Sequence, residues 1–181
     1  MRVGIGLDVH SPRAGTPLPS GGGPADEEVG SEAGDGREVP ICRAVADALL
    51  GAGGLGGVCE QLAEDEGGAA GGPLGLLANA VRLLEEENYQ VVNVDVLVAE
   101  APSSPNADPG RTARLTAELR TVAARLAEVV HTAPHQVCVR RSPAGGFIGT
   151  PGGDQVAVLA VVLVNQMQDI DVVHATMRSG G

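Results

Sequence analysis

Four valine-rich runs separated by helical patterns constrain this chain more than any other feature. Residues 2–10 alternate, with Val3, Ile5, Leu7 and Val9 on one side, which predicts a half-buried strand of period two. Residues 89–99 read as a second strand, with a Val91/Asn93/Asp95/Leu97 face and a Val92/Val94/Val96/Val98 face. Residues 136–140 give a short third strand, and residues 154–164 a strongly apolar fourth. Between them, apolar residues recur at helical spacing over 38–52, 73–87 and 109–130. Gly53 and Gly54 stop the first of these helices, and Pro73 opens the second. Strands alternating with helices give an α/β or α+β fold: a mixed sheet with helices on one face. Residues 1–164 form one expected domain and 165–181 a polar tail. The stretches 11–37 and 53–72, rich in Gly, Pro and acids, read as loops longer than a compact domain normally holds.

Composition narrows the function classes. The chain has 181 residues, a net charge of -11, and only Tyr89 and Phe147 as aromatics, so its core is built from Val, Leu and Ala. All 12 basic residues are arginine. Such a chain is no electrostatic binder of nucleic acid and no basic membrane-surface protein. The longest apolar run, Val156 to Val164, is far below the roughly 20 residues of a spanning helix. Three widely spaced cysteines (Cys42, Cys59 and Cys138) suit a reducing cytoplasm rather than a disulfide framework.

Two elements of the first strand invite chemistry. Gly4-Ile5-Gly6 lies inside the strand rather than after it, so it is not a dinucleotide-binding fingerprint. Asp8 and His10 stand two apart, project to the same face, and are both suitable ligands for a divalent metal such as zinc. A strand-end carboxylate capping a turn beside a solvated histidine is the plainer reading of the same residues.

The opening Met1–His10, with its Asp-x-His end, resembles the start of the 2-C-methyl-D-erythritol 2,4-cyclodiphosphate synthase family. Further blocks follow in the family's order: Asp35-Gly36, Asp47-Ala-Leu-Leu-Gly-Ala52, Asn93-Val-Asp-Val96, Ala99-Glu-Ala-Pro102 and Gly146-Phe147-x-Gly149. The resemblance spans residues 1–164. It implies a homotrimer with active sites between neighbours and a zinc bound by Asp, His and a helix His. The implied reaction is metal-assisted cyclisation of a CDP-linked methylerythritol phosphate with release of CMP. It implies Asp47 in the catalytic machinery, and Asp8, His10, Ala99, Ala101, Pro102, Phe147 and Gly149 at a nucleotide-diphosphate ligand, with Mg or Mn accompanying the substrate.

The chain departs from that pattern at the charged contacts. Counted back from Asp47, the third metal ligand falls on Arg43; counted forward from His10, it falls on Cys42. A thiolate suits zinc and a guanidinium does not, so a set of Asp8, His10 and Cys42 stands beside a set broken by Arg43. The family's His-Ser before Asp-Gly corresponds to Ala33-Gly34, and its Thr-Thr-Glu to Ser142-Pro143-Ala144-Gly145. Arg140 and Arg141 offer a substitute phosphate contact or merely end a strand in solvent. His131, near a helix C-terminus, is explained by the helix dipole. Two functions follow from these residues: a divergent synthase, or a non-catalytic trimeric paralog acting as scaffold, regulator or ligand-binding protein.

Overall fold

A computed structural model describes residues 1–10, 38–61, 72–100, 111–143 and 156–167. Its strands are β1 (Arg2–His10), β2 (Tyr89–Glu100), β3 (Val137–Pro143) and β4 (Val156–Gln166). Its helices are α1 (Glu38–Gly53), α2 (Val58–Gln61), α3 (Gly72–Glu86) and α4 (Arg111–Val129), with a 3-10 turn at Pro134–Gln136. The expected mixed sheet is present, in the order β1-β4-β2-β3: β4 is antiparallel to both neighbours, and β2 and β3 are parallel. The short α2 forms inside a stretch expected to be loop. Each remaining element begins and ends within a few residues of its expected bounds.

Helices cover one face of the sheet. Val94, Val96 and Val98 of β2 and Val158, Ala160, Val162 and Val164 of β4 are buried in one core with α1, α3 and α4. From α1 come Ile41, Val45, Leu49 and Leu50, and from α3 Leu77 and Leu84, all with no exposed surface. Burying a side chain of this size contributes roughly 1.5–3 kcal/mol, so these rows hold the layers together without aromatic help.

The face assignment of β1 is the reverse of a simple apolar-in reading. Val3, Ile5, Leu7 and Val9 are 62%, 66%, 55% and 49% exposed, while Gly4 and Gly6 are buried. The cause is the closeness of α1. A Cβ on Gly4 would fall 1.9 Å from the Ala48 carbonyl oxygen, and one on Gly6 would fall 2.0 Å from that of Ala44. Strand and helix therefore touch backbone to backbone, and only glycine fits on the strand side. The apolar side chains of β1 look out from the uncovered face, with Val161 of β4 beside them at 38% exposure.

The expected division of β2 into two simple faces is also corrected. A bulge between Val91 and Asn93 shifts the register against β4, pairing Val91 with Val164 and Asn93 with Leu163. Tyr89 and Val91 pack on the same core as Val94, Val96 and Val98, so the inward parity changes from odd to even across Val92. The Val92 carbonyl accepts a hydrogen bond from Gln136 Nε2 at 2.7 Å, giving the bulged peptide a partner outside the ladder.

Helix ends are closed locally. Leu55 N–H donates to Leu50 O at 2.9 Å, with Gly54 at φ 78°, a left-handed stop after α1. After α4, Thr132 N–H donates to Ala127 O at 3.0 Å, and His131 takes φ 55°. His131 Nδ1 lies 2.9 Å from Glu85 Oε1, tying the end of α4 to the end of α3.

Candidate functional site

The strand ends gather at one rim of the sheet. His10 pairs with Val156, Val156 with Glu100, and Glu100 with Pro143. Residues 11–37, 101–110 and 144–155 follow directly from this rim and lie outside the described residues, so Ala101, Pro102, Phe147 and Gly149 are not placed.

Asp8 sits on the helix side of β1, two residues beyond Gly6. Because those glycines let α1 come close, Asp8 reaches a side chain of α1, and that side chain is Arg43. Arg43 Nε lies 3.6 Å from Asp8 Oδ1, with the two side chains 32% and 23% exposed. The structure brings Arg43, not Cys42, to Asp8. Cys42 is one residue away, about 100° around the helix, and has no exposed surface. Burial, with the Glu38 carboxylate adding to it and Arg125 opposing it, pushes the Cys42 thiol up to about 12. The Cys42 side chain packs in the core with Ile41, Val45 and Leu49, turned away from the solvent-accessible end of Asp8.

The residues present therefore do not fit a divalent ion beside Asp8. Among the described residues, no three His, Cys, Asp or Glu side chains gather into a metal-holding set. A dication and a guanidinium about 6 Å apart repel by about 5 kcal/mol at an effective dielectric constant of ~20. That repulsion opposes an ion at Asp8, whose carboxylate is already shared with Arg43.

The other expected site residues are scattered. Asp47 Oδ1 accepts a hydrogen bond from Val58 N–H at 3.1 Å, and a Cβ on Gly57 would lie 3.0 Å from the same oxygen. Its carboxylate pins the first turn of α2 to α1. Ala99 is 7% exposed and clusters with Ala157. Strand alternation puts both on the side of the sheet away from Asp8. Arg140 donates from Nε and Nη2 to Asp95 Oδ1 and Oδ2 at 3.3 and 3.2 Å. The side-chain hydrogen bond to Asp95, and then its charge, raise the Arg140 pKa. This forked pair braces the β2–β3 edge.

One ion pair, a buried carboxylate with a half-exposed arginine, is not legible in the sequence. Glu38, only 3% exposed, opens α1 and meets Arg125 Nη1 of α4 at 2.8 Å. An acid at a helix N-terminus was a readable signal, but its partner lies far along the chain. At the opposite end of the sheet, a cavity of about 340 Å³ is lined by Leu84, Tyr89, Val130, His131 and Met167. It is remote from the Asp8 rim.

Comparison with known proteins agrees with the mixed α+β fold. The YgbB family model matches residues 1–165. This chain belongs to the YgbB family. It is 32% identical over 168 residues to the 2-C-methyl-D-erythritol 2,4-cyclodiphosphate synthase of Pelotomaculum thermopropionicum, covering 92% of this chain and 96% of the relative. The synthase of the same name from Symbiobacterium thermophilum is 35% identical over 166 residues, covering 91% and 98%. A solved 2C-methyl-D-erythritol-2,4-cyclodiphosphate synthase in a CDP-bound form superposes with a TM-score of 0.64 at 21% identity, over 91% of this chain and 100% of that one. The Plasmodium falciparum IspF–CDP complex superposes at 0.59 and 18% identity, over 92% and 97%. These structures share the fold with this family member. Among the described residues no helix is long and apolar enough to cross a membrane.

Proposed function

We propose that this protein is a non-catalytic, self-assembling member of its family, a homotrimer acting as a scaffold, regulator or ligand-binding protein. The observation that carries this reading is Arg43 beside Asp8 with Cys42 turned into the core. The family reaction moves a phosphoryl group, and such chemistry rests on metal ions and charge stabilisation more than on covalent help from the protein. Losing several such contacts costs orders of magnitude in rate. On this reading Asp47 is a structural clamp for α2. The open apolar face of β1 and β4 supports the trimer, since exposed patches of this kind mark contact surfaces. Free cysteines suit the cytoplasm as the working compartment.

The test is direct. Protein incubated with the CDP-linked methylerythritol phosphate and zinc, magnesium or manganese is expected to release no CMP above a no-protein control. Light scattering is expected to give a mass three times the 18.2 kDa chain. CMP release that scales with protein concentration would overturn the reading.

The second reading is an active synthase of the isoprenoid precursor pathway. It is favoured by the full-length identity to proteins that carry the synthase name. In it, Asp8 and His10 would hold a metal, and residues 99–102 with Phe147 and Gly149 would meet a nucleotide diphosphate. CMP release decides between the two.

A further inference from the structure

We propose that the Asp8–Arg43 centre carries its positive charge in the chain itself and takes no divalent ion. The inference concerns the same centre as the proposed function and shares its geometric premise, but it is a claim about ion binding rather than turnover.

Three observations converge on it. Arg43 Nε faces Asp8 Oδ1 at 3.6 Å with both side chains more than half shielded from solvent. The cation is a side chain of the protein, so it cannot dissociate from the centre as a bound ion can. The carboxylate is thereby neutralised permanently, and an entering dication meets a fixed like charge.

The helix phase is locked as well. Turning α1 by one residue to present Cys42 would move the Ala44 and Ala48 carbonyls out of the hollows left by Gly6 and Gly4. It would also lift Ile41, Val45 and Leu49 out of the core. Arg43 therefore stays at Asp8 because the backbone contact two residues earlier on β1 holds it there. The glycines that admit the helix also select which side chain the carboxylate meets.

Zinc and manganese binding to the full chain tests this, read by calorimetry and by competition with a chromophoric chelator. The proteins are the native chain, Asp8→Asn, Arg43→Lys, Arg43→Met and the double variant Asp8→Asn/Arg43→Met, each checked for fold by thermal melting. The native chain and Arg43→Lys are expected to show no site that Asp8→Asn removes. Arg43→Met is expected to bind about tenfold or more tighter than the native chain, and the double variant to lose that gain. Stoichiometric metal on the native chain that disappears in Asp8→Asn overturns the inference, as does a folded Arg43→Met with unchanged affinity. The two proposals fail separately. CMP release in the presence of chelator would sink the proposed function and leave this inference standing. Asp8-dependent metal without CMP release would do the reverse.

Discussion

Replacing Gly6 by alanine tests the backbone contact on which the site geometry depends. The added Cβ would stand 2.0 Å from the Ala44 carbonyl oxygen, 2.8 Å from Ala48 N and 3.0 Å from the Ala44 carbonyl carbon. All three are main-chain atoms of α1, so no side chain can rotate away. Reaching an ordinary contact of about 3.4 Å requires β1 and α1 to part by roughly 1.4 Å. That separation opens the packed seam along Ala44, Ala48 and Ala52, and overpacking of this kind costs about 1–3 kcal/mol. A reduced unfolded-state entropy returns about 0.4–1 kcal/mol, leaving a net loss of about 1–2 kcal/mol. For a chain of this length, each kcal/mol moves the melting temperature by about 2–4 °C. Gly6→Ala should melt several degrees below the native protein. Gly51→Ala supplies the control, because a Cβ there meets nothing within 4 Å and the residue lies inside α1. It should gain about 0.5–1 kcal/mol. Urea denaturation of both variants at equal protein concentration reads the difference. A Gly6→Ala protein as stable as native, or both variants moving in the same direction, would refute the backbone contact.

Cys42 predicts an alkaline loss of stability. Its folded value is raised from 9.0 to about 12, so above pH 9 the unfolded chain sheds a proton that the folded chain keeps. Stability is then full below pH 9 and falls as the pH rises from 9 toward 12; Cys42→Ala should remove that part of the slope in urea melts. Thiol reagents should leave Cys42 unmodified in the folded protein while reacting with the exposed Cys59, read by mass spectrometry of peptides. Arg125→Met strands the buried Glu38 carboxylate and should cost about 2–3 kcal/mol, discounted for the half-exposed arginine; Glu38→Gln should recover part of that loss in a double-mutant cycle. Asp47→Ala should cost about 1 kcal/mol through the lost bond to Val58 N–H, with light scattering showing the assembly mass unchanged. Ile5→Arg, on the uncovered face, should lower the assembly mass and leave the far-ultraviolet spectrum native.

Much of the fold is legible in the sequence because local patterns and global packing agree. The valines of 156–164 and the leucines of α3 announce a strand and a helix whatever surrounds them. Reading fails where a residue's meaning depends on something distant. The alternation of Val3, Ile5, Leu7 and Val9 sets the period of β1 but not its buried side, because the deciding contact is made by Gly4 and Gly6 with a helix far along the chain. The valine run of β2 hides its bulge, since Val91, Val92 and Val94 are alike in chemistry and differ only in register against β4. At the candidate site, Asp8 is legible from its place at a strand end. Its partner is not, because the count across residues 11–37 admits both Cys42 and Arg43. Helix phase decides between them: Ile41, Cys42, Val45 and Leu49 point inward as one stripe, which turns Arg43 toward the strand's end.

If the proposed assembly forms through the exposed face of β1 and β4, protein concentration becomes a variable of folding. A second surface that shields Val3, Ile5, Leu7 and Val9 binds the folded chain and not the unfolded one, so it stabilises the fold by mass action. Dilution then acts as a mild denaturant. On that proposal, a melting temperature for this chain has meaning only when quoted with the concentration at which it was measured.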